Sequence, residues 1–267
     1  MRSCSRIKRR HEKQSGKANS VKELMILLPV LNEQDGLETV LNAIPYQSLK
    51  EINWSPSIVI VDGNSSDNSR QIGESFGCEV IVQPTKGKGE AIRVGFEYAL
   101  KNNFDAVVMF DADRTYHPKD MLNMLPLLER GQIIVGNRLT NQMHPHAMTA
   151  QNWIGNHLLT WSAVMLFGLE IHDLCSGYWV FDKAALRQMN LNSMDFEIEA
   201  EMYAECAVAN IDLRNHPIQY QPRIGEPKLG SIRDGSSILK KLIIRRLFPH
   251  PVDAELGRGK LSLHSNQ

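Results

Sequence analysis

The stretch that most constrains this chain is Val107-Val108-Met109-Phe110-Asp111-Ala112-Asp113. An unbroken apolar run of this length marks a strand buried on both faces, as in a parallel sheet covered by helices. The run stops abruptly at two carboxylates one residue apart. Acids at i and i+2 leave a strand end on the same side, where they repel each other unless a divalent cation sits between or beyond them. A polar loop at a strand end is the plain alternative, and the other strand ends decide between the two.

Those strand ends are also polar. Leu24–Val30 is a strand followed by Leu31-Asn32-Glu33, and Leu37, Val40, Leu41 and Ile44 then recur at helical spacing. Ser57–Asp62 is a second strand ending on an acid. Gly63-Asn64-Ser65-Ser66-Asp67 opens a helix with Ser65 or Ser66 as N-cap and Gly77 as its stop. A third strand, Cys78–Val82, leads through the basic loop Gln83–Gly89 into a helix over Glu90–Lys101. Lysines and glycines ahead of a helix invite phosphate, although the P-loop spacing is missing. Pro118 opens a helix that ends before Gly131, with a kink or early stop at Pro126. Gln132–Arg138 is a fifth strand that delivers Arg138 to the same edge. Such alternation predicts an α/β fold, doubly wound around a mostly parallel sheet, with ligands outside the carboxyl ends of the strands. Glu33, Asp62, Asp111, Asp113 and Arg138 then share one crevice. No GxGxxG follows the first strand, which disfavours a dinucleotide.

Beyond residue 138 the pattern changes. Residues 139–152 read as a loop and Trp153–Leu169 as an apolar helix. Asp173–Phe181 is a turn and a strand, and Phe196–Val208 a helix whose acids Glu197, Glu199 and Glu201 form a solvated face. His216–Tyr220 alternates like a strand, Arg223–Gly230 is a basic loop, and Ser237–Phe248 a basic amphipathic helix. Residues 1–22 read as a disordered basic arm, 23–248 as the folded domain and 249–267 as a polar tail. Lys+Arg 30 balances Asp+Glu 30, so bulk charge gives no argument for nucleic acid. Four scattered cysteines suggest neither zinc nor disulfides and fit a reducing, cytoplasmic setting. No apolar run reaches the ~18–20 residues that a membrane span needs.

Seven motifs stand in register: Leu28-Pro29-Val30-Leu31-Asn32-Glu33, Val61-Asp62-Gly63-Asn64-Ser65-Ser66-Asp67, Lys86-Gly87-Lys88-Gly89, Phe110-Asp111-Ala112-Asp113, Gly136-Asn137-Arg138, Asp173-Leu174-Cys175-Ser176-Gly177-Tyr178 and Gly225-Glu226-Pro227-Lys228-Leu229. Over roughly residues 24–248 the chain resembles the family 2 glycosyltransferases of the GT-A fold, in particular the dolichyl-phosphate (polyprenyl-phosphate) hexose synthases. The resemblance implies a nucleotide-sugar donor, with its base near Pro29, Glu33 and Asp62 and its phosphates near Lys88. It implies Mg²⁺ or Mn²⁺ at Asp111 and Asp113, a departing diphosphate stabilised by Arg223 and Lys228, and an acceptor phosphate oriented by Arg138. Asp173 either positions that acceptor or orders its turn, and Glu201 is the one acid of its helix that the family pattern singles out, for structure. An acceptor phosphate is already an oxyanion, so in-line attack with inversion needs no strong general base.

The sequence departs from the family in three places. Thr115, a weak ligand, stands where some relatives place a third metal contact. Gln151, Asn152 and His157 stand where relatives often grip the acceptor phosphate with basic residues. Many relatives carry C-terminal membrane helices, so contact here is expected to be peripheral, at the cytoplasmic face, through the apolar helix and Lys240, Lys241, Arg245 and Arg246. A soluble or protein-bound acceptor is the competing expectation, and a homo-oligomer is a further possible partner. A sugar nucleotidyltransferase lacks support, because its glycine-rich signature is absent. A non-enzymatic binder would need a damaged acidic pair.

Overall fold

A computed structural model describes residues 20–223 and 231–249. Most of the expected arm and tail, and Lys228, lie outside the described residues; the arm's expected last residue, Lys22, instead opens the first strand. Seven strands form one sheet: β1 Lys22–Val30, β2 Trp54–Asp62, β3 Glu79–Val82, β4 Ala106–Met109, β5 Gln132–Asn137, β6 Trp179–Asp182 and β7 Asp212–Pro217. Their order is β3-β2-β1-β4-β6-β5-β7. Every pairing is parallel except those of β6, which runs antiparallel to both β4 and β5. From β1 the chain winds outward to β2 and β3, then returns to place β4 on the other side of β1. The carboxyl ends of β1 and β4 therefore splay apart at a topological switch point, where such sheets bind ligands.

The sheet is covered on both faces. Alternate residues of β1 point to opposite sides, so Met25 and Leu27 join one core cluster while Leu24, Ile26 and Leu28 join the other. Helices α1 Gln34–Asn42, α2 Tyr46–Glu51 and α5 Met121–Met124 lie with the second cluster. Helices α4 Lys88–Lys101, α6 Ala150–Phe167, α7 Lys183–Leu186, α8 Ile198–Val208 and α9 Ser231–Leu247 lie with the first, and α3 Ser69–Ser75 links β2 to β3. The kink expected at Pro126 is present: 3₁₀ turns at Pro118–Asp120 and Leu125–Leu127 flank the single turn of α5.

Four expectations are corrected. Helix α3 starts at Ser69, with neither Ser65 nor Ser66 as its cap. The Ser65 hydroxyl instead accepts the Asn32 N–H (2.9 Å), and the Ser69 hydroxyl accepts that of Glu33 (2.9 Å), stitching the two loops together. The last strand lies at 212–217 rather than 216–220, because its partner is β5 and the register starts at Gln132↔Asp212.

The acids of α8 are not a solvated face. Glu199, Glu201 and Glu205 are buried, and Glu197 is half-buried. Glu201 accepts the N–H groups of Asn192 (2.9 Å) and Ser193 (2.7 Å), and Glu205 pairs with Arg245. Helix α9 packs on α8, so two of its five basic residues, Lys241 and Arg245, turn inward to Glu201. Charge this deep is tolerated only when paired, and pairing needs both helices, which no pattern local to either one reveals.

Candidate active site

The acidic pair sits where the switch point predicts. Asp111 and Asp113 line a cleft of about 440 Å³ together with Pro29, Glu33, Lys86, Lys88 and Arg223. A larger, shallower depression beside Asp120 and His216 holds none of the strand-end acids. Asp62, Arg138 and Asp173 do not line the cleft. Asp62 is fully buried, accepting the Ser65 N–H (3.0 Å) and pairing with Arg70 (3.1 Å).

Local backbone geometry aims each carboxylate. Arg114 lies in the left-handed region (φ 70°), unusual for a residue with a Cβ. That bend lets both the N–H (3.0 Å) and the hydroxyl (2.5 Å) of Thr115 donate to Asp113 Oδ1. Thr115, expected as a weak metal ligand, thus orients the Asp113 carboxylate. Oδ2 of Asp113 remains for Arg223 Nη1 (3.1 Å), whose Nη2 reaches Glu33 (2.9 Å). Arg223 arrives because the Gln221 N–H donates to the Thr115 carbonyl (2.9 Å), tying the chain beyond β7 to the acidic turn. Asp111 packs against Gly177, where a Cβ would come within 2.5 Å of its Oδ2 and push the carboxylate aside.

Asp111 is paired too. Lys88 Nζ lies 2.7 Å from Asp111 Oδ1 and 2.7 Å from Glu199 Oε1. Burial alone would lower the lysine's pKa, but the two carboxylates outweigh it and hold the value well above normal, so Lys88 is charged. Lys88 heads α4 behind Gly87, whose φ of 113° is open only to glycine and whose Cβ would stand 1.9 Å from the Met194 carbonyl. The glycines of this basic loop therefore serve close backbone packing on residues 193–194. Glu201 fixes that wall through the N–H of Ser193. Gly87→Ala is expected to displace the loop and weaken binding of a nucleoside diphosphate at least ~10-fold with little change in secondary structure. Calorimetric titration of the variant checks this.

Arg138 and Asp173 form a separate unit beside the cleft. Asp173 Oδ2 accepts from the backbone N–H (3.0 Å) and Nε (2.7 Å) of Arg138, and Oδ1 accepts from Nη2 (2.8 Å). Both are buried, and the guanidinium lies over the Tyr220 ring, 5.1 Å from its centroid. Burial opposes the charge, yet Asp173 more than offsets it and raises the arginine's pKa well above normal. A surface salt bridge at Arg138 is therefore excluded. Nearby Cys175 has its thiol pushed up to about 12 by burial, away from the thiolate form.

Two carboxylates at a strand end, beside a cleft rimmed by lysine and arginine, suit a hard divalent ion that shares its coordination with phosphate oxygens and water. Among the described residues no cluster of three or more His, Cys, Asp or Glu is placed to hold a metal ion, so the acidic pair alone offers carboxylates to one here. Comparison with known proteins decides the family: the Glycosyl transferase family 2 model matches residues 25–189. The chain belongs to that family. It is a glycosyltransferase of the GT-A fold. Glycosyltransferase AglJ of Haloferax volcanii is 33% identical over 230 residues, covering 85% of this chain and 73% of that protein. The dolichyl-phosphate hexose transferase of the same organism is 26% identical, covering 83% of this chain and 92% of that one. Glucosyl-3-phosphoglycerate synthase from Mycobacterium tuberculosis, solved with Mn²⁺, UDP-glucose and phosphoglyceric acid, superposes with a TM-score of 0.64. It shares 18% identity, covering 86% of this chain and 81% of that one.

Sequence reasoning missed Glu199. It took the acids of α8 as surface, and the signal it passed over was an acid one residue after buried Ile198, before an apolar helix face.

Proposed function

We propose that this glycosyltransferase moves a hexose from a nucleoside diphospho-sugar to a polyprenyl phosphate at a membrane surface, with inversion. The observation that carries the reading is the pairing of Asp111 and Asp113 with Lys88 and Arg223 in one cleft at the switch point. Asp111 and Asp113 hold a divalent ion, Mg²⁺ or Mn²⁺, which when bound supplies positive charge to a departing diphosphate. Lys88 and Arg223 add fixed positive charge on the same side, a role the family resemblance also assigns to Lys228. Pro29 and Glu33 flank the donor's base, with Asp62 bracing the loop beneath them. Arg138, clasped by Asp173, orients the acceptor phosphate. That acceptor is anionic near neutral pH, so positioning and charge carry the reaction. The polyprenyl phosphate is supported by the name of the dolichyl-phosphate hexose transferase among the relatives.

The test is to incubate the protein with a panel of nucleotide sugars, polyprenyl phosphate and Mn²⁺ or Mg²⁺, and to examine the organic extract by mass spectrometry. A hexosyl-phosphoryl lipid is expected, and EDTA is expected to abolish it. Sugar transferred only to water-soluble acceptors supports the second reading, a soluble acceptor, which the lack of basic residues among Gln151, Asn152 and His157 favours. Full lipid product in EDTA overturns the metal role.

A further inference from the structure

We propose that Lys88 makes metal binding conditional on the donor: its ammonium group occupies the side of Asp111 that a divalent ion needs and leaves it only for a diphosphate. The inference rests on the nucleotide-sugar reading above and adds to it an exchange of charges between named residues. Lys88 Nζ is 2.7 Å from Asp111 Oδ1, so a divalent ion taking the same oxygen would lie against the ammonium and be repelled by it. The lysine cannot simply retreat into water. Its side chain is only 14% exposed, it springs from a glycine-flanked turn packed on residues 193–194, and its other partner is Glu199, itself 8% exposed. Glu199 thus tethers Lys88 beside Asp111 and is a positioning residue. Arg223 does the same at the second acid, spanning Asp113 and Glu33. Without nucleotide, a metal ion entering the pair displaces one or both cations and leaves them crowded against it. A diphosphate supplies the anions that receive them, so metal and nucleotide bind cooperatively, each tightening the other equally.

Mn²⁺ binding, read from the free-ion EPR signal with and without UDP or GDP, tests this apart from turnover. In the wild type a nucleoside diphosphate is expected to tighten Mn²⁺ at least ~10-fold, within the usual range of coupling between sites. Lys88→Met is expected to bind Mn²⁺ alone several-fold more tightly than wild type and to show correspondingly less response to nucleotide. Glu199→Gln, which keeps the shape, leaves the lysine wholly to Asp111 and is expected to weaken Mn²⁺ binding without nucleotide. That effect is expected to vanish in the Lys88→Met background, because it acts through the lysine. A general field effect gives additive changes and an equal gain from Lys86→Met, and either result overturns the exchange. If Lys88→Met does not fold, unchanged or tighter Mn²⁺ binding by Glu199→Gln overturns it alone. Mn²⁺ binding that ignores Lys88 leaves the proposed reaction standing. Absence of Mn²⁺ binding by wild type, even with nucleotide, removes the acidic-pair metal site and this inference together.

Discussion

Asp173→Ala is expected to cost about 3–5 kcal/mol of folding stability, because it strands a buried guanidinium without its carboxylate. Asp173 satisfies the side chain of Arg138 through two oxygens and also accepts its backbone N–H. Domains of this kind are stable by roughly 5–15 kcal/mol, so the loss is a large share of the total. Denaturant unfolding followed by circular dichroism measures it, and a loss under about 1 kcal/mol contradicts the buried-pair account. The double variant Arg138→Met, Asp173→Leu separates structure from chemistry. Replacing both partners by apolar groups removes the unpaired charge, so most of the stability is expected to return. Sugar transfer is not expected to return with it, while binding of the nucleotide sugar stays near the wild-type level. Transfer at the wild-type rate reduces Arg138 to a structural role, and an equal loss of donor affinity moves it to the donor side. Arg138→Lys restores only a point charge, which cannot take up the two-pronged geometry that Asp173 engages.

Much of the site was legible in the sequence because it lies at strand ends, where an apolar run meets an acid. Asp111, Asp113 and the exit from β1 needed only that rule and the switch point. Arg138 was correctly brought to the carboxyl edge, but its clasp by Asp173 spans 35 residues and two elements. Glu199, and the burial of Glu201 though not its structural role, were misjudged for a related reason. Alternating acids on a helix resemble a wet face, and only the folding of Lys88, Lys241 and Arg245 onto them makes burial tolerable. Thr115 was weighed as a ligand when the positive φ of Arg114 turns its hydroxyl back to Asp113. Side-chain chemistry was visible, then, and partner choice across the sheet was not.

Charge placed on the outer face of α6 is expected to detach the enzyme from lipid. No helix among the described residues is long and apolar enough to cross a membrane, yet α6 presents an apolar stripe. Ile154, Leu158, Trp161 and Met165 follow steps of four, three and four and are between 53% and 67% exposed, with Trp153 beside them at 43%. Val164, Leu166 and Phe167 of the same helix pack on the core, while Ile154 and Leu158 face outward. Helix α9, which packs on α6, adds exposed Leu239, Ile243, Ile244 and Leu247, followed by exposed Phe248, with Lys240 and Arg246 exposed alongside. Each basic residue near an anionic surface contributes about 1 kcal/mol. Burial of apolar side chains adds ~0.8 kcal/mol per CH₂, and an isoprenoid acceptor resists leaving the bilayer for the same reason. Leu158→Glu with Trp161→Glu is therefore expected to abolish co-sedimentation with anionic vesicles and to cut transfer to a long-chain polyprenyl phosphate more than ~10-fold. Transfer to a short, water-soluble chain is expected to stay near wild type. Lys240→Glu with Arg246→Glu should weaken vesicle binding in a salt-dependent way. Arg245 is unsuitable for that experiment, since it is buried against Glu205 and its reversal would break the fold. A wild-type chain that ignores vesicles at low salt but sediments as a dimer, dissociated by the α6 charges, assigns the stripe to a second copy and leaves the soluble acceptor as the better account.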